Sequence, residues 1–142
     1  MTGCATYNYQ HNGKCWYGRK SKTCRNDQVY IAKCNQYKGQ RFMFVKVSGN
    51  EVLIKVGDGR NLCFERYSRE IFLRTCDSSK ERQRWFAPKG SFDGPRFEVS
   101  QHSLSNQCMT QDHHPKAGEV VELHSCRAAR SKSHETSYWV KY

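Results

Sequence analysis

The sequence predicts an all-β protein built from three copies of one structural unit. Its apolar segments are short, as strands are, and none continues the apolar periodicity of an amphipathic helix. One pattern, a short apolar strand followed by a cysteine, a polar turn and an aromatic-ended tripeptide, occurs three times. The chain of 142 residues also holds eight cysteines, enough for four disulfides.

The predicted strands are rich in Val, Ile, Phe and Tyr and are bounded by Gly, Ser, Asn and Asp. Glycine-containing turns at residues 57–59 and 93–95 separate them. In chain order, the predicted strands are 28–31, 41–47, 51–56, 70–73, 96–100, 119–123 and 138–142.

The three tripeptides are QRF at 40–42, QRW at 83–85 and SYW at 137–139. Their units are residues 1–47, 48–92 and 93–142, which we predict to form a single domain over 1–142. A propeller needs more blades than three. Three units of this length suit a closed threefold β structure, in which Phe42, Trp85 and Trp139 meet in a shared core.

Each unit carries a first and a second cysteine, and the chain has no Cys-x-x-Cys pair of the kind that binds zinc. Repeat symmetry favours one pairing among the roughly 105 that eight cysteines allow. The predicted disulfides are Cys15–Cys34, Cys63–Cys76, Cys108–Cys126 and the remaining pair Cys4–Cys24. Disulfides persist in oxidising compartments, so we expect a secreted or extracellular protein. No apolar run has the length of a transmembrane segment.

The charge favours an anionic partner. The chain carries 24 basic and 13 acidic residues, a net charge of +11. Residues 1–47 have a net charge of +8, residues 48–92 of +3 and residues 93–142 of zero. A strongly positive field in the first unit attracts anions, although a charge that only keeps the protein soluble is the simpler alternative.

The tripeptides and their cysteine pairs resemble the QxW repeat of the ricin-B-type (R-type) β-trefoil lectins over essentially the whole chain. Within that family, the sequence of the second repeat most resembles the cysteine-rich domain of the mannose-receptor group, which binds sulfated sugars. The resemblance implies a β-trefoil and non-catalytic carbohydrate binding, without a cofactor or a metal.

Sugar-binding members of that family have an acid two residues after the first cysteine. They also have an aromatic residue two before the second cysteine and an Asn before the Gln of QxW. No repeat of this chain keeps all three, so an ordinary galactose site is not expected. The corresponding residues are Tyr17, Ala32 and Gly39 in repeat one, Glu65, Arg74 and Arg82 in repeat two, and Thr110, His124 and Thr136 in repeat three.

Five of the six histidines lie in repeat three, where side chains with planar donors and acceptors can hold a sugar. The predicted carbohydrate-binding residues there are Asp112, His113, His114, Glu122, His124 and Thr136. A solvated polar loop with incidental histidines is the alternative, and the histidines lack the spacing of a zinc site. A secondary site for anions or glycans groups cations with an aromatic residue and an acid. Its predicted residues are Tyr17, Arg19, Lys20, Lys22, Arg25, Glu65, Arg74 and Arg82.

The sequence therefore predicts a lectin-like domain for an acidic or sulfated glycan, free or on a glycoprotein. A nucleic-acid partner is not expected, and the oligomeric state is left open. Catalysis is not expected either, because the chain lacks the helices of a lysozyme and the histidine and lysine arrangement of a pancreatic-type ribonuclease. The rival hypothesis is a secreted protein-interaction or toxin-type module that has lost sugar binding and uses its basic face on a receptor or polyanion.

Overall fold

The computed structural model describes residues 9–11, 14–17, 29–33, 41–86, 98–102, 104–110, 121–131 and 139–141. These residues form twelve strands, a 3₁₀ turn at Glu81–Gln83 and one short helix, α1, at Cys126–Ser131. The prediction of an all-β chain is confirmed. The strands are β1 Tyr9–His11, β2 Lys14–Tyr17, β3 Tyr30–Lys33, β4 Phe42–Ser48, β5 Glu51–Val56, β6 Leu62–Tyr67, β7 Glu70–Thr75, β8 Trp85–Phe86, β9 Ser100–Gln101, β10 Leu104–Thr110, β11 Glu122–Ser125 and β12 Val140–Lys141.

The strand pairings of the larger sheet close into a ring. Its strands follow the order β4-β5-β6-β7-β11-β10-β9-β8, and β8 pairs again with β5. A second sheet has the order β12-β1-β2-β3. Ring closure pairs both edges of the strands within it, which removes the exposed hydrogen-bonding groups of an open sheet. Among the described residues, no helix is long and apolar enough to cross a membrane.

The three repeats use the same strand register. The first cysteine of each repeat lies opposite the residue that stands two before the second cysteine. Cys15 thus faces Ala32, Cys63 faces Arg74 and Cys108 faces His124. The same pair of positions therefore lies side by side on three equivalent hairpins.

The repeats meet through three residues that hold the same place in each unit, Val29, Ile71 and Val121. All three are fully buried. The backbone N–H of Val29 donates to the carbonyl of Ile71 at 2.8 Å, and the N–H of Val121 donates to the carbonyl of Val29 at 3.1 Å. These bonds join all three repeats at one point in the core.

The aromatic residues that end the tripeptides are buried in the core, as the sequence predicts. Phe42, Trp85 and Trp139 are completely enclosed. The indole N–H of Trp85 donates to the carbonyl of Phe64 at 3.1 Å, and that of Trp139 donates to the carbonyl of Met109 at 3.0 Å. Phe64 and Met109 each follow the first cysteine of their repeat, so the two bonds are equivalent.

Two of the four predicted disulfides are present, Cys63–Cys76 and Cys108–Cys126. Each joins the first strand of a hairpin to the residue that follows its second strand, within one repeat. The pairs Cys15–Cys34 and Cys4–Cys24 involve side chains outside the described residues and stay predictions.

The predicted strand list is incomplete and shifted in places. Strands β1, β2, β6, β8 and β10 are absent from it. The two longest of these, β6 and β10, carry charged or polar residues such as Glu65 and Asn106 and few β-branched ones. The prediction for 96–100 meets only the first residue of β9, and that for 119–123 starts before β11. The short helix α1 is also absent from the prediction.

The buried indole bond can be tested with Trp85→Phe. The substitution removes the donor to the Phe64 carbonyl and leaves a cavity, so we expect the free energy of unfolding to fall by roughly 2–4 kcal/mol. Denaturant unfolding measures the change, with Tyr67→Phe at an exposed position as the control. Equal stabilities for both variants would contradict the assigned role of the indole.

Candidate functional site

Glu65 is a carboxylate held in place near the second tripeptide. It lies on strand β6 of the β6–β7 hairpin, and its side chain is only 9% exposed. Its Oε1 accepts a hydrogen bond from Nε2 of Gln83 at 2.9 Å and lies 3.6 Å from Nζ of Lys80. A buried carboxylate needs such partners because water no longer solvates it. Glu65 therefore presents a fixed acceptor.

Gln83, the first residue of the tripeptide, connects this carboxylate to the backbone. It is fully buried. Besides its bond to Glu65, Nε2 donates to the carbonyl of Thr75 at 2.8 Å, and Oε1 accepts the backbone N–H of Asp77 at 2.8 Å. One side-chain amide thus joins β6, the end of β7 and the turn that follows.

The turn that follows β7 is held by hydrogen bonds among its own residues and by one hydrogen bond from repeat three. The carboxylate of Asp77 accepts the Ser79 hydroxyl at 2.6 Å and the Ser79 backbone N–H at 3.0 Å. These bonds, the hydroxyl bond first, lower the pKa of Asp77 below its ordinary value of 3.8. From β9, Nε2 of Gln101 donates to the carbonyl of Glu81 at 2.7 Å. These bonds hold the segment that precedes the 3₁₀ turn and the first residue of the turn itself.

A pocket of about 350 Å³ lies between this turn and β6. Its lining residues are Glu65, Lys80, Glu81 and Arg82. Two carboxylates and two cations thus share one small volume. Such a pocket offers hydrogen-bond donors and acceptors to a polar ligand.

Next to the pocket lies a row of four side chains, here called the cation–aromatic row: Arg82, Tyr67, Phe72 and Arg74. The guanidinium of Arg82 lies 5.3 Å from the centre of the Tyr67 ring, and that of Arg74 lies 4.9 Å from the centre of the Phe72 ring. The two rings meet edge to face at 6.2 Å. Tyr67 is 55% exposed, so the row is open to solvent.

Three of the predicted secondary-site residues come together here. Glu65 and Arg82 line the pocket, and Arg74 belongs to the row that Arg82 begins. Arg74 also donates to the carbonyl of Leu73 at 2.9 Å.

Sequence reasoning missed Tyr67, Phe72 and Lys80. The pairing of Glu65 with Phe72 and of Tyr67 with Glu70 places the two rings on the hairpin face that carries Glu65, and a predicted β6–β7 register can reveal this.

In repeat three, strand β11 carries Glu122 and His124 on one face. Nε2 of His124 lies 3.9 Å from Oε1 of Glu122, and each side chain is nearly half exposed. Thr110, in the position of Glu65, is buried, and its hydroxyl donates to the carbonyl of Glu122 at 3.1 Å. Asp112, His113, His114 and Thr136 lie outside the described residues and stay predictions.

In repeat one, Tyr17 ends β2 and pairs with Tyr30. The structure does not describe the cations predicted to accompany it, which are Arg19, Lys20, Lys22 and Arg25. Among the described residues, no group of three or more His, Cys, Asp or Glu side chains is arranged to hold a metal ion.

The architecture is shared with known proteins of low sequence identity. The BEL β-trefoil matches with a TM-score of 0.70 and 12% identity, over 99% of this chain and 93% of that chain. This chain is a β-trefoil. SeviL, in its complex with asialo-GM1 saccharide, matches with a TM-score of 0.64 and 12% identity, over 98% and 94% of the two chains.

A third similar β-trefoil belongs to the cytolethal distending toxin from Actinobacillus actinomycetemcomitans, with a TM-score of 0.73 and 15% identity over 96% of this chain and 88% of that chain. No protein-family model and no curated protein sequence matches the chain. The closer resemblance to the mannose-receptor group stays a prediction.

The role of Gln83 can be tested with Gln83→Ala. The substitution leaves Glu65, the Thr75 carbonyl and the Asp77 N–H without their partner, so we expect a loss of roughly 2–4 kcal/mol in unfolding free energy. Denaturant unfolding measures it. A loss within about 0.5 kcal/mol, typical of exposed sites, would show that Gln83 does not organise the turn.

The hydrogen bonds of Asp77 predict how its contribution to stability depends on pH. Because the folded-state pKa of Asp77 is lowered, its contribution to stability is present above the unfolded pKa and disappears as pH falls through the folded value. Ser79→Ala removes the hydroxyl donor and should raise the Asp77 pKa towards 3.8. An NMR titration of the carboxyl carbon measures both midpoints, and identical midpoints would contradict the assigned bond.

Proposed function

We propose that this β-trefoil is a non-catalytic carbohydrate-binding domain for an acidic or sulfated glycan. The observation that carries the proposal is the junction at Arg82, where the Glu65 pocket adjoins an exposed aromatic ring with guanidinium groups beside it. Both features lie on the second repeat, at the hairpin face that the family resemblance associates with sugar binding.

The chemistry of the junction matches the groups of an acidic sugar. The apolar face of a sugar ring stacks on an aromatic ring such as that of Tyr67. A guanidinium forms charge-assisted and often bidentate hydrogen bonds with sulfate or carboxylate oxygens. Glu65 accepts hydrogen bonds from sugar hydroxyls. The net charge of +11 adds a field that attracts anions to the surface.

The third repeat supplies a second proposed site, centred on Asp112, His114, Glu122 and His124. The neighbouring side chains of Glu122 and His124 support it, because they offer an acceptor and a flat ring on one strand face. Two sites on one domain raise the avidity for a glycan that presents several copies of the ligand.

Binding without a chemical step is supported by the fold shared with SeviL, whose structure contains a saccharide. The disulfides Cys63–Cys76 and Cys108–Cys126 support a secreted or extracellular location, where such bonds persist. These two inferences belong to the proposal.

The alternative function is a toxin-type or protein-interaction module. The likeness to a cytolethal distending toxin chain, matched over 88% of that chain, favours it. In this case the basic face binds a receptor or polyanion without selecting a sugar.

A glycan array separates the two functions. At about 150 mM salt, which weakens nonspecific electrostatic binding, we expect the wild-type protein to bind sulfated or acidic glycans according to their identity. Arg82→Gln should weaken this binding by about 10-fold or more, since a hydrogen bond to a charged group contributes roughly 1.5–3 kcal/mol. Asp112→Ala and His124→Ala test the third repeat in the same way.

Lys46→Gln, at an exposed position on β4, is the matched control for the loss of one positive charge. Binding to every polyanion, lost uniformly as salt rises, would favour the interaction module. An absence of glycan binding would overturn the lectin proposal.

A further inference from the structure

Lys80 occupies the pocket of repeat two although the family resemblance assigns it no role. Its backbone is fixed, because its N–H donates to the carbonyl of Asp77 at 3.1 Å and its carbonyl accepts the N–H of Gln83 at 3.0 Å. Its ammonium group lies 3.6 Å from Oε1 of Glu65. This is the oxygen that also accepts the amide of Gln83.

The two side chains of this ion pair differ in exposure and in how firmly they are held. Glu65 is nearly buried and is held by Gln83, whereas the Lys80 side chain is 52% exposed. A separation of 3.6 Å exceeds an ordinary hydrogen bond, so the ammonium group acts on the carboxylate mainly through its charge. The carboxylate is the fixed member of the pair and the ammonium group the adjustable one.

We infer that Lys80 is a specificity-determining residue that sets the charge preference of the Glu65 pocket. The inference rests on the proposed function, because it concerns which glycans that site accepts. With Lys80 present, an ammonium group lies beside the buried carboxylate of Glu65 and offsets its charge. Without it, Glu65 keeps its bond to Gln83 but loses this cation.

The Lys80 cation decides between two kinds of ligand. A bare carboxylate accepts hydroxyl groups of a neutral sugar strongly and repels a sulfate or a sugar carboxylate. An ammonium group beside the carboxylate weakens its hydrogen bonds with the hydroxyl groups of a neutral sugar. It also removes the repulsion between the carboxylate and a sulfate or a sugar carboxylate. When an acidic ligand enters, the flexible Lys80 side chain turns towards the anion while Glu65 keeps its bond to Gln83.

The experiment compares wild type, Lys80→Gln, Lys80→Arg and the control Lys46→Gln. The probes are immobilised neutral galactosides and their mono-sulfated counterparts, together with the acidic glycans bound in the array. For Lys80→Gln we expect binding to sulfated glycans to fall by about 10-fold while binding to their neutral parents stays equal or rises, because only the charged ligand loses its partner. Lys80→Arg keeps the cation and should retain the sulfated preference within about 3-fold, and Lys46→Gln should match wild type.

The outcomes distinguish this inference from the proposed function. If wild type prefers sulfated glycans and Lys80→Gln keeps the same preference, Lys80 has no such role, although the glycan-binding proposal stands. If wild type binds no glycan, both fail together. Thermal unfolding of each variant confirms that the fold is intact, which is expected at this half-exposed position.

Discussion

Val29 exchanges backbone hydrogen bonds with both of the other repeats, donating to Ile71 and accepting from Val121. Since the three residues hold the same place in each unit and are fully buried, this contact fixes the repeats around a common centre. The enclosed aromatic residues then fill the space beneath the hairpins, and the indoles of Trp85 and Trp139 satisfy backbone carbonyls that the core removes from water. The orientation of every hairpin, and so of every candidate site, depends on this threefold packing.

The repeated scaffold carries surfaces that do not repeat. The cross-strand position occupied by Glu65 and Phe72 in repeat two holds Thr110 and Glu122 in repeat three. In repeat two, Glu65 lines the pocket and Phe72 belongs to the cation–aromatic row. In repeat three, Glu122 lies beside His124. The contact of Val29, Ile71 and Val121 does not involve these four side chains, so they can differ between repeats while the threefold packing stays the same. The three repeats can therefore present different chemical groups on the same scaffold.

The sequence was most informative where the repeats constrain it. Cysteines and core aromatics recur at fixed spacing, so the fold class and the pairs Cys63–Cys76 and Cys108–Cys126 could be predicted. The family resemblance singled out Glu65, as the acid that stands two residues after the first cysteine of repeat two. The cation–aromatic row could not be found in this way, because Tyr67 and Phe72 become neighbours only through the register of β6 and β7. Lys80 was missed for a related reason: its approach to Glu65 depends on a turn shaped by Asp77 and Ser79.

We propose that an acidic glycan binds at the junction of the Glu65 pocket and the cation–aromatic row. A two-dimensional NMR titration with a sulfated glycan selected by the array is the direct test of this binding site. We expect the largest chemical-shift changes at the backbone amides of Lys80, Glu81 and Arg82 and at the ring of Tyr67, with much smaller changes on addition of the neutral parent glycan. Equal shifts over the basic surface, or shifts confined to residues away from this junction, would contradict it.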